Sequence, residues 1–160
     1  MTIDTKEFRN TVGCFATGIT VITTVDVDGL PIGLTANSFT SVSLDPPMVL
    51  FCLDRKVASF ESFAVGKGFA VNILSSNQVD VSNRFAQSGP DKWEGFDYDT
   101  WDSGVPIIPD CLANIECRGH SILDAGDHVI VIGEVNNLAS ASEDVKPILY
   151  YRGGYKEILP

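Results

Sequence analysis

The alternation of apolar and polar positions divides the chain into short strand-like segments separated by turn residues. Ile19-Thr20-Val21-Ile22-Thr23-Thr24-Val25 is dense in β-branched residues, and Asp28-Gly29 follows with the positive φ angles that a tight hairpin turn needs. A returning strand then leads into the segment from Thr35 to Ser43. Met48 to Leu53 and Phe69 to Leu74 are short, continuous and apolar, the pattern of buried strands. Two longer alternating runs, Cys111 to Leu123 and Asp127 to Leu138, flank the turn Asp124-Ala125-Gly126. Ile148 to Tyr151 supplies a last strand, ending at Arg152-Gly153-Gly154-Tyr155.

Helical spacing occurs in three places. Asp4 and Glu7 have the spacing of a capping box, and Phe8, Val12 and Phe15 fall on one face, which predicts an N-terminal amphipathic helix of about three turns. Val57, Phe60 and Phe63 or Ala64 mark one face of a second, short helix. Ser75 and Gln78 repeat the capping spacing ahead of a third over Val79 to Ala86. Ser88 to Pro109 shows neither period and predicts a long exposed loop. About seven strands, joined by hairpins and accompanied by short helices, favour a mainly β fold: a closed or nearly closed antiparallel barrel rather than a doubly wound sheet.

At 160 residues the chain suits one domain, 1–160, and 44% hydrophobic with 20% charged residues is ordinary globular usage. A net charge of −10 argues against nucleic acid and anionic membrane as partners, since both need clustered Lys or Arg. A small anionic ligand needs only a local pocket of N–H donors and one or two cations. Neither a long apolar run nor a signal-peptide pattern occurs, so a cytoplasmic location is expected. Cys14, Cys52, Cys111 and Cys117 lie in apolar segments without CxxC pairing, and His120 and His128 lack ligand spacing to a Cys pair, so buried, reduced thiols and no metal are expected.

There is no GxGxxG after the first strand, no Walker loop, no HExxH and no nucleophile elbow. Four polar clusters remain. Thr35 to Ser43 offers hydroxyls, an amide and backbone N–H groups that can line a heterocycle or satisfy a phosphate; a bulge capped by its own Ser and Thr side chains reads the same way. Asp54, Arg55, Lys56 and Ser59 follow a strand and precede a helix start, which suits either an anion or plain solvation. Gly126-Asp127-His128 sits at a strand entry, where a histidine can donate a proton or simply be structural; in a regular strand Asp127 would point to the opposite side. Tyr150-Tyr151-Arg152-Gly153-Gly154-Tyr155 combines aromatics, a cation and flexible backbone, as a dinucleotide contact or a dimer-sealing tail would.

Together these segments resemble the short-chain flavin reductases that supply reduced flavin to two-component aromatic monooxygenases. The resemblance runs from Phe8 to Tyr155. It rests on Ala16-Thr17-Gly18-Ile19-Thr20-Val21-Ile22-Thr23-Thr24, on Gly33-Leu34-Thr35-Ala36-Asn37-Ser38-Phe39-Thr40-Ser41-Val42-Ser43-Leu44-Asp45-Pro46-Pro47, on Phe69-Ala70-Val71-Asn72-Ile73-Leu74, on Gly126-Asp127-His128, and on Leu149-Tyr150-Tyr151-Arg152-Gly153-Gly154-Tyr155. It implies an FMN-binding split barrel of Greek-key type, a homodimer, and FMN or FAD reduced by NADH or NADPH.

By that resemblance Thr35, Ala36, Asn37 and Ser38, with Val42 and Ser43, would meet the isoalloxazine and ribityl chain. Leu53, Asp54, Arg55, Lys56 and Ser59 would meet the phosphate end, with Arg84 and Phe85 nearby. His128 would lie by the nicotinamide, and Tyr151, Arg152 and Gly153 would help hold the pyridine nucleotide or flavin. A flavin-dependent monooxygenase would receive the product. Competing readings are a split-barrel oxidase with tightly held flavin, a non-catalytic flavin-binding electron carrier, and an interaction barrel without ligand.

Overall fold

The β-branched run forms the strand that separates two cores. In the computed structural model, which describes residues 2–158, Thr20–Val25 (β2) is flanked by Pro31–Ala36 (β3) and Gly68–Ile73 (β6). Side chains alternate across a strand, so Ile22 enters one core with Val49, Phe51, Phe69, Val71 and Val131, while Val21 enters a second with Ile19, Leu74, Phe85 and Ile108. In the first core Phe51 is fully buried and meets Phe63 and Phe69 edge to face, at 5.5 and 5.4 Å between ring centroids.

Thr40–Leu44 (β4), Pro47–Asp54 (β5), Ala113–Ala125 (β9) and His128–Ser140 (β10) complete a seven-stranded antiparallel sheet in the order β3-β2-β6-β9-β10-β5-β4. Ile32 and Leu34 from one edge pack into the same core as Val49 and Phe51 beside the other, so the sheet curls around a single interior. Thr17–Gly18 (β1), Leu149–Tyr151 (β11) and Gly154–Lys156 (β12) form a small second sheet, and Asp99–Thr100 (β7) pairs with Pro106–Ile107 (β8).

Several expectations change. Of the four cysteines only Cys111 and Cys117 are buried; Cys14 is exposed and Cys52 half-buried. The second half of the polar segment is itself a strand, β4, and Val42 is the unpaired residue of a bulge between Ser41↔Val49 and Ser43↔Met48. The last strand leaves the main sheet and pairs with β1. The helix expected around Phe60 is only a 3-10 turn, Phe60–Ser62. The stretch before Pro109 is not all exposed loop, because Val105, Ile107 and Ile108 are buried. Asn72 explains that anchoring: its amide nitrogen donates to Val21 O and Thr23 Oγ1, and its oxygen accepts from Ile108 N–H and Asn114 Nδ2. All four hydrogen-bonding positions of a fully buried side chain are filled.

The N-terminal helix, Thr5–Val12 (α1), begins as expected, with Asp4 Oδ1 accepting from Lys6 and Glu7 N–H at 2.9 Å. It is shorter than its spacing predicts, and none of its residues is buried; Phe8, Val12 and the following Phe15 are 55, 51 and 79% exposed. The third expected helix is present as Val79–Ala86 (α2). Its capping pair is half formed: Gln78 Oε1 accepts from Ser75 N–H at 3.0 Å, but Ser75 Oγ donates to Asp110 O instead of to the helix start.

Candidate active site

The site begins where the sheet changes edge. Asn37, Ser38 and Phe39 cross from the end of β3 to the start of β4, and among the described residues their N–H groups make no backbone hydrogen bond. Ser38 fastens this crossing to β5, its Oγ accepting from Cys52 N–H at 2.9 Å and donating to Cys52 O at 3.3 Å. Backbone donors and the exposed amide of Asn37 are thereby held at a fixed place on the surface. Such an array suits acceptor atoms or negative charge.

Two residues along β5 from Cys52, roughly 7 Å away, Asp54 ends the strand. Its carboxylate accepts from Lys56 N–H at 2.8 Å and closes the turn. Arg55 is fixed by two contacts to the β9–β10 hairpin: its N–H donates to Asp127 O at 3.1 Å and its guanidinium pairs with Asp124. The same guanidinium lies 5.9 Å over the Phe60 ring. Lys56 is exposed beside it, and Ser59 precedes the 3-10 turn without a side-chain capping bond. These are the groups a phosphate would need.

His128 opens β10 directly opposite Asp54. The hairpin loop is Gly126-Asp127, with Gly126 at φ 69°, so Asp127 belongs to the turn and not to the strand. The expected opposition of the two side chains therefore fails: Asp127 Oδ1 lies 2.7 Å from His128 Nδ1. The hydrogen bond and charge of His128 hold the Asp127 carboxyl below its usual value. With Nδ1 engaged, Nε2 is the ring atom presented to a ligand.

A third group gathers at the tip of the β11–β12 hairpin. Arg152 and Gly153 have φ of 49° and 77°, the two positive angles a tight two-residue loop requires, and Gly supplies only one of them without strain. Arg152 N–H donates to Gly13 O at 2.9 Å, and its guanidinium lies 5.4 Å over the Tyr151 ring. Between this tip and α1 runs an open groove of about 1150 Å³, whose walls include Arg9, Asn10, Phe15, Thr17, Asn37, Tyr150, Arg152 and Gly153. Thr17 Oγ1 is buried without a hydrogen-bond partner among the described residues.

The structure thus brings Asn37, Arg152 and Gly153 together around the groove, and sets Ser38, Asp54, Arg55, Lys56 and His128 along the adjoining strip. Other expected residues serve as supports. Thr35 turns its hydroxyl to Ser82 O, at 2.6 Å, and Ala36 packs against the first core. Leu53 is 1% exposed and offers only backbone. Val42 and Ser43 lie on edge strand β4, beyond β5. Arg84 donates to the carbonyls of Lys92 and Glu94 and stacks on Phe96, while Phe85 is sealed against Trp93 and Phe96. Phe85 lies against Gly33 of β3, and Arg84 holds the Lys92–Phe96 segment that packs around it. Lys92 completes the brace by donating to Gly33 O and Phe85 O at 3.2 Å, and burial lowers its pKa. The α1 residues of the groove were not legible as a site, because their apolar spacing reads as a core-packing helix. Among the described residues, no group of three or more His, Cys, Asp or Glu could hold a metal, and no helix is long and apolar enough to cross a membrane.

An antiparallel β fold with a groove, a row of free N–H donors and a pair of cations is suited to a flat heterocycle with an anionic tail; its donor set fits a flavin nucleotide. Residues 12–159 match the family model described as flavin reductase like domain, and the chain belongs to that family. A probable flavin reductase of Rhizobium meliloti is 46% identical over 95% of this chain, which spans 48% of that relative's length. The HsaB reductase subunit of a flavin-dependent monooxygenase from Mycobacterium tuberculosis is 43% identical, with 99% of this chain and 84% of the relative covered. Among solved structures, an NADH:FAD oxidoreductase of Streptomyces globisporus in complex with NAD and FAD fragments has a TM-score of 0.90 at 33% identity, covering 100% of this chain and 98% of that one.

Proposed function

We propose that the chain reduces FMN or FAD with NADH or NADPH and passes the reduced flavin to a partner monooxygenase. The observation that carries this reading is the run of N–H groups at Asn37–Phe39 that find no partner among the described residues, fastened through Ser38 to β5, which leads to Arg55 and Lys56. When bound, the flavin would accept at N5 the hydride that leaves nicotinamide C4. The residues at 37–39 hold and polarise the ring edge, and Arg55 and Lys56 take the phosphate end. His128, its ring fixed by Asp127, presents Nε2 to orient the nicotinamide; Arg152 and Gly153 hold the rest of the pyridine nucleotide in the groove. The monooxygenase partner is supported by the HsaB relative, which is the reductase subunit of a flavin-dependent monooxygenase.

The curled seven-stranded sheet is read as a split barrel of Greek-key type, with residues 1–160 as one domain. A homodimer is supported by the uncovered apolar side chains Phe8, Val12 and Phe15 and by half-exposed Ile130 and Ile132 on the outer face of β10. Stopped-flow oxidation of each nucleotide in the presence of each flavin tests the enzyme reading. The expected result is bleaching of flavin absorbance with at least one pair; no turnover with any pair overturns it. His128→Ala is expected to slow hydride transfer about tenfold or more while flavin affinity stays within about twofold, and an unchanged rate would leave His128 structural. Flavin retained through gel filtration would favour an oxidase with a permanent prosthetic group.

A further inference from the structure

Resting on the placement of flavin along Asn37–Lys56 and of pyridine nucleotide at the Arg152-Gly153 tip, the geometry points to Tyr155 as a positioning residue. It sets the two ligand sites against each other through Ser82. The β11–β12 hairpin and β3 lie in different sheets and share no strand pairing. Ser82, in the middle of α2 and fully buried, is hydrogen-bonded to both. Its carbonyl accepts from Thr35 Oγ1 at 2.6 Å, two residues before Asn37, and its Oγ lies 2.8 Å from the Tyr155 hydroxyl.

Donor counting gives the chain a direction. A tyrosine has one O–H, and that of Tyr155 donates to Asn83 Oδ1 at 3.0 Å. Ser82 Oγ–H therefore donates to the Tyr155 oxygen, and both Ser82 and Tyr155 have their hydrogen atoms committed. Tyr155 is the register partner of Tyr150, whose ring it meets at 5.8 Å and which lines the groove. The other tether of the hairpin is the Arg152 N–H bond to Gly13 O at 2.9 Å. Without the Tyr155 hydroxyl the hairpin keeps the tether at Gly13 and its β1 pairing but loses its registration to the strand that leads into Asn37.

The test compares Tyr155→Phe, Ser82→Ala, their double variant and Arg152→Ala in the full chain. Each is read by steady-state kinetics at saturating flavin, by NADH titration of flavin-free protein, and by thermal melting. Both Tyr155→Phe and Ser82→Ala break the Ser82–Tyr155 bond, and Tyr155→Phe also removes the bond to Asn83 on the same helix. Tyr155→Phe should raise both KM and the flavin-free Kd for NADH about fivefold, Ser82→Ala should raise both by a smaller factor of at least about twofold, and the double variant should go no further than Tyr155→Phe, with kcat and flavin Kd changed less than about twofold below the melting transition. Multiplying effects in the double variant, or unchanged NADH binding in both singles while Arg152→Ala weakens it, would reduce Tyr155 to a structural residue. If Arg152→Ala also leaves NADH binding unchanged, the nucleotide is not at the hairpin tip and this role for Tyr155 falls with that placement. Absence of NADH or NADPH oxidation in the unsubstituted chain would instead overturn the proposed reaction.

Discussion

Replacing Gly33 with alanine tests how tightly β3 is braced. A Cβ at Gly33 would lie 2.6 Å from Phe85 Cδ1, 2.7 Å from Phe85 Cε1 and 3.0 Å from Trp93 Cζ2, all too close. Phe85 cannot yield easily, because Trp93 and Phe96 pack edge-on against it at 4.7 and 5.2 Å. Overpacking of this kind costs about 1–3 kcal/mol, and the stiffer unfolded chain of an alanine returns about 0.4–1 kcal/mol. At the midpoints of these ranges the net loss is about 1.3 kcal/mol, which for a chain of this size lowers Tm by roughly 3–5 °C. Gly18→Ala is the control, since a Cβ there meets nothing within 4 Å. Its Tm should stay within about 2 °C of the unsubstituted chain. Differential scanning calorimetry decides the matter, with Phe85→Leu added to the Gly33→Ala chain to relieve the clash. Equal Tm for the two glycine variants, or additive losses in the Gly33→Ala/Phe85→Leu pair, would refute the brace.

Two further outcomes follow from the titrating groups. Burial pushes the thiols of Cys111 and Cys117 up to about 12, so at pH 8 a disulfide reagent should label Cys14 at once and half-buried Cys52 more slowly. The other two should react only after unfolding, and prompt labelling of all four in the folded protein would contradict their burial. Asp127 has its folded pKa below the unfolded value, so its contact with His128 favours folding above the unfolded value and is lost as pH falls through the folded one. Carboxyl-carbon NMR should place the Asp127 midpoint below the ordinary aspartate range and return it upward in His128→Ala; identical midpoints in the two proteins would show that His128 is not the cause.

Much of the framework could be read from local pattern. The β-branched run at 19–25 and the two long alternating runs became β2, β9 and β10, because strand alternation and turn glycines act over a few residues. What escaped was set by tertiary partners. Val105 to Ile108 carry no period of their own and are buried because Asn72 and Asn114 reach across to their backbone. Phe8, Val12 and Phe15 have a core-like spacing, yet among the described residues they stay 55, 51 and 79% exposed. At the site, residue type identified Asn37, Ser38, Arg55, Lys56 and His128 as polar groups beside strands. It did not separate Thr35, Arg84 and Phe85, which support β3, from residues that face the groove, since that distinction depends on α2 and the Lys92 region behind the strand. The Asp127–His128 contact turned on a single position, the placement of the hairpin loop one residue later than its composition suggests.

The order in which the chain supplies these parts bears on its synthesis. Every strand of the seven-stranded sheet lies before residue 141, and the strip from Asn37 to His128 is finished with β10. The hairpin tip comes afterwards, in β11 and β12, whose strand pairing outside the hairpin is, among the described residues, with the two-residue strand β1. Its late arrival disturbs no pairing of the main sheet. On the proposed reading, the groups that hold the flavin are synthesised first and the tip that holds the pyridine nucleotide comes last.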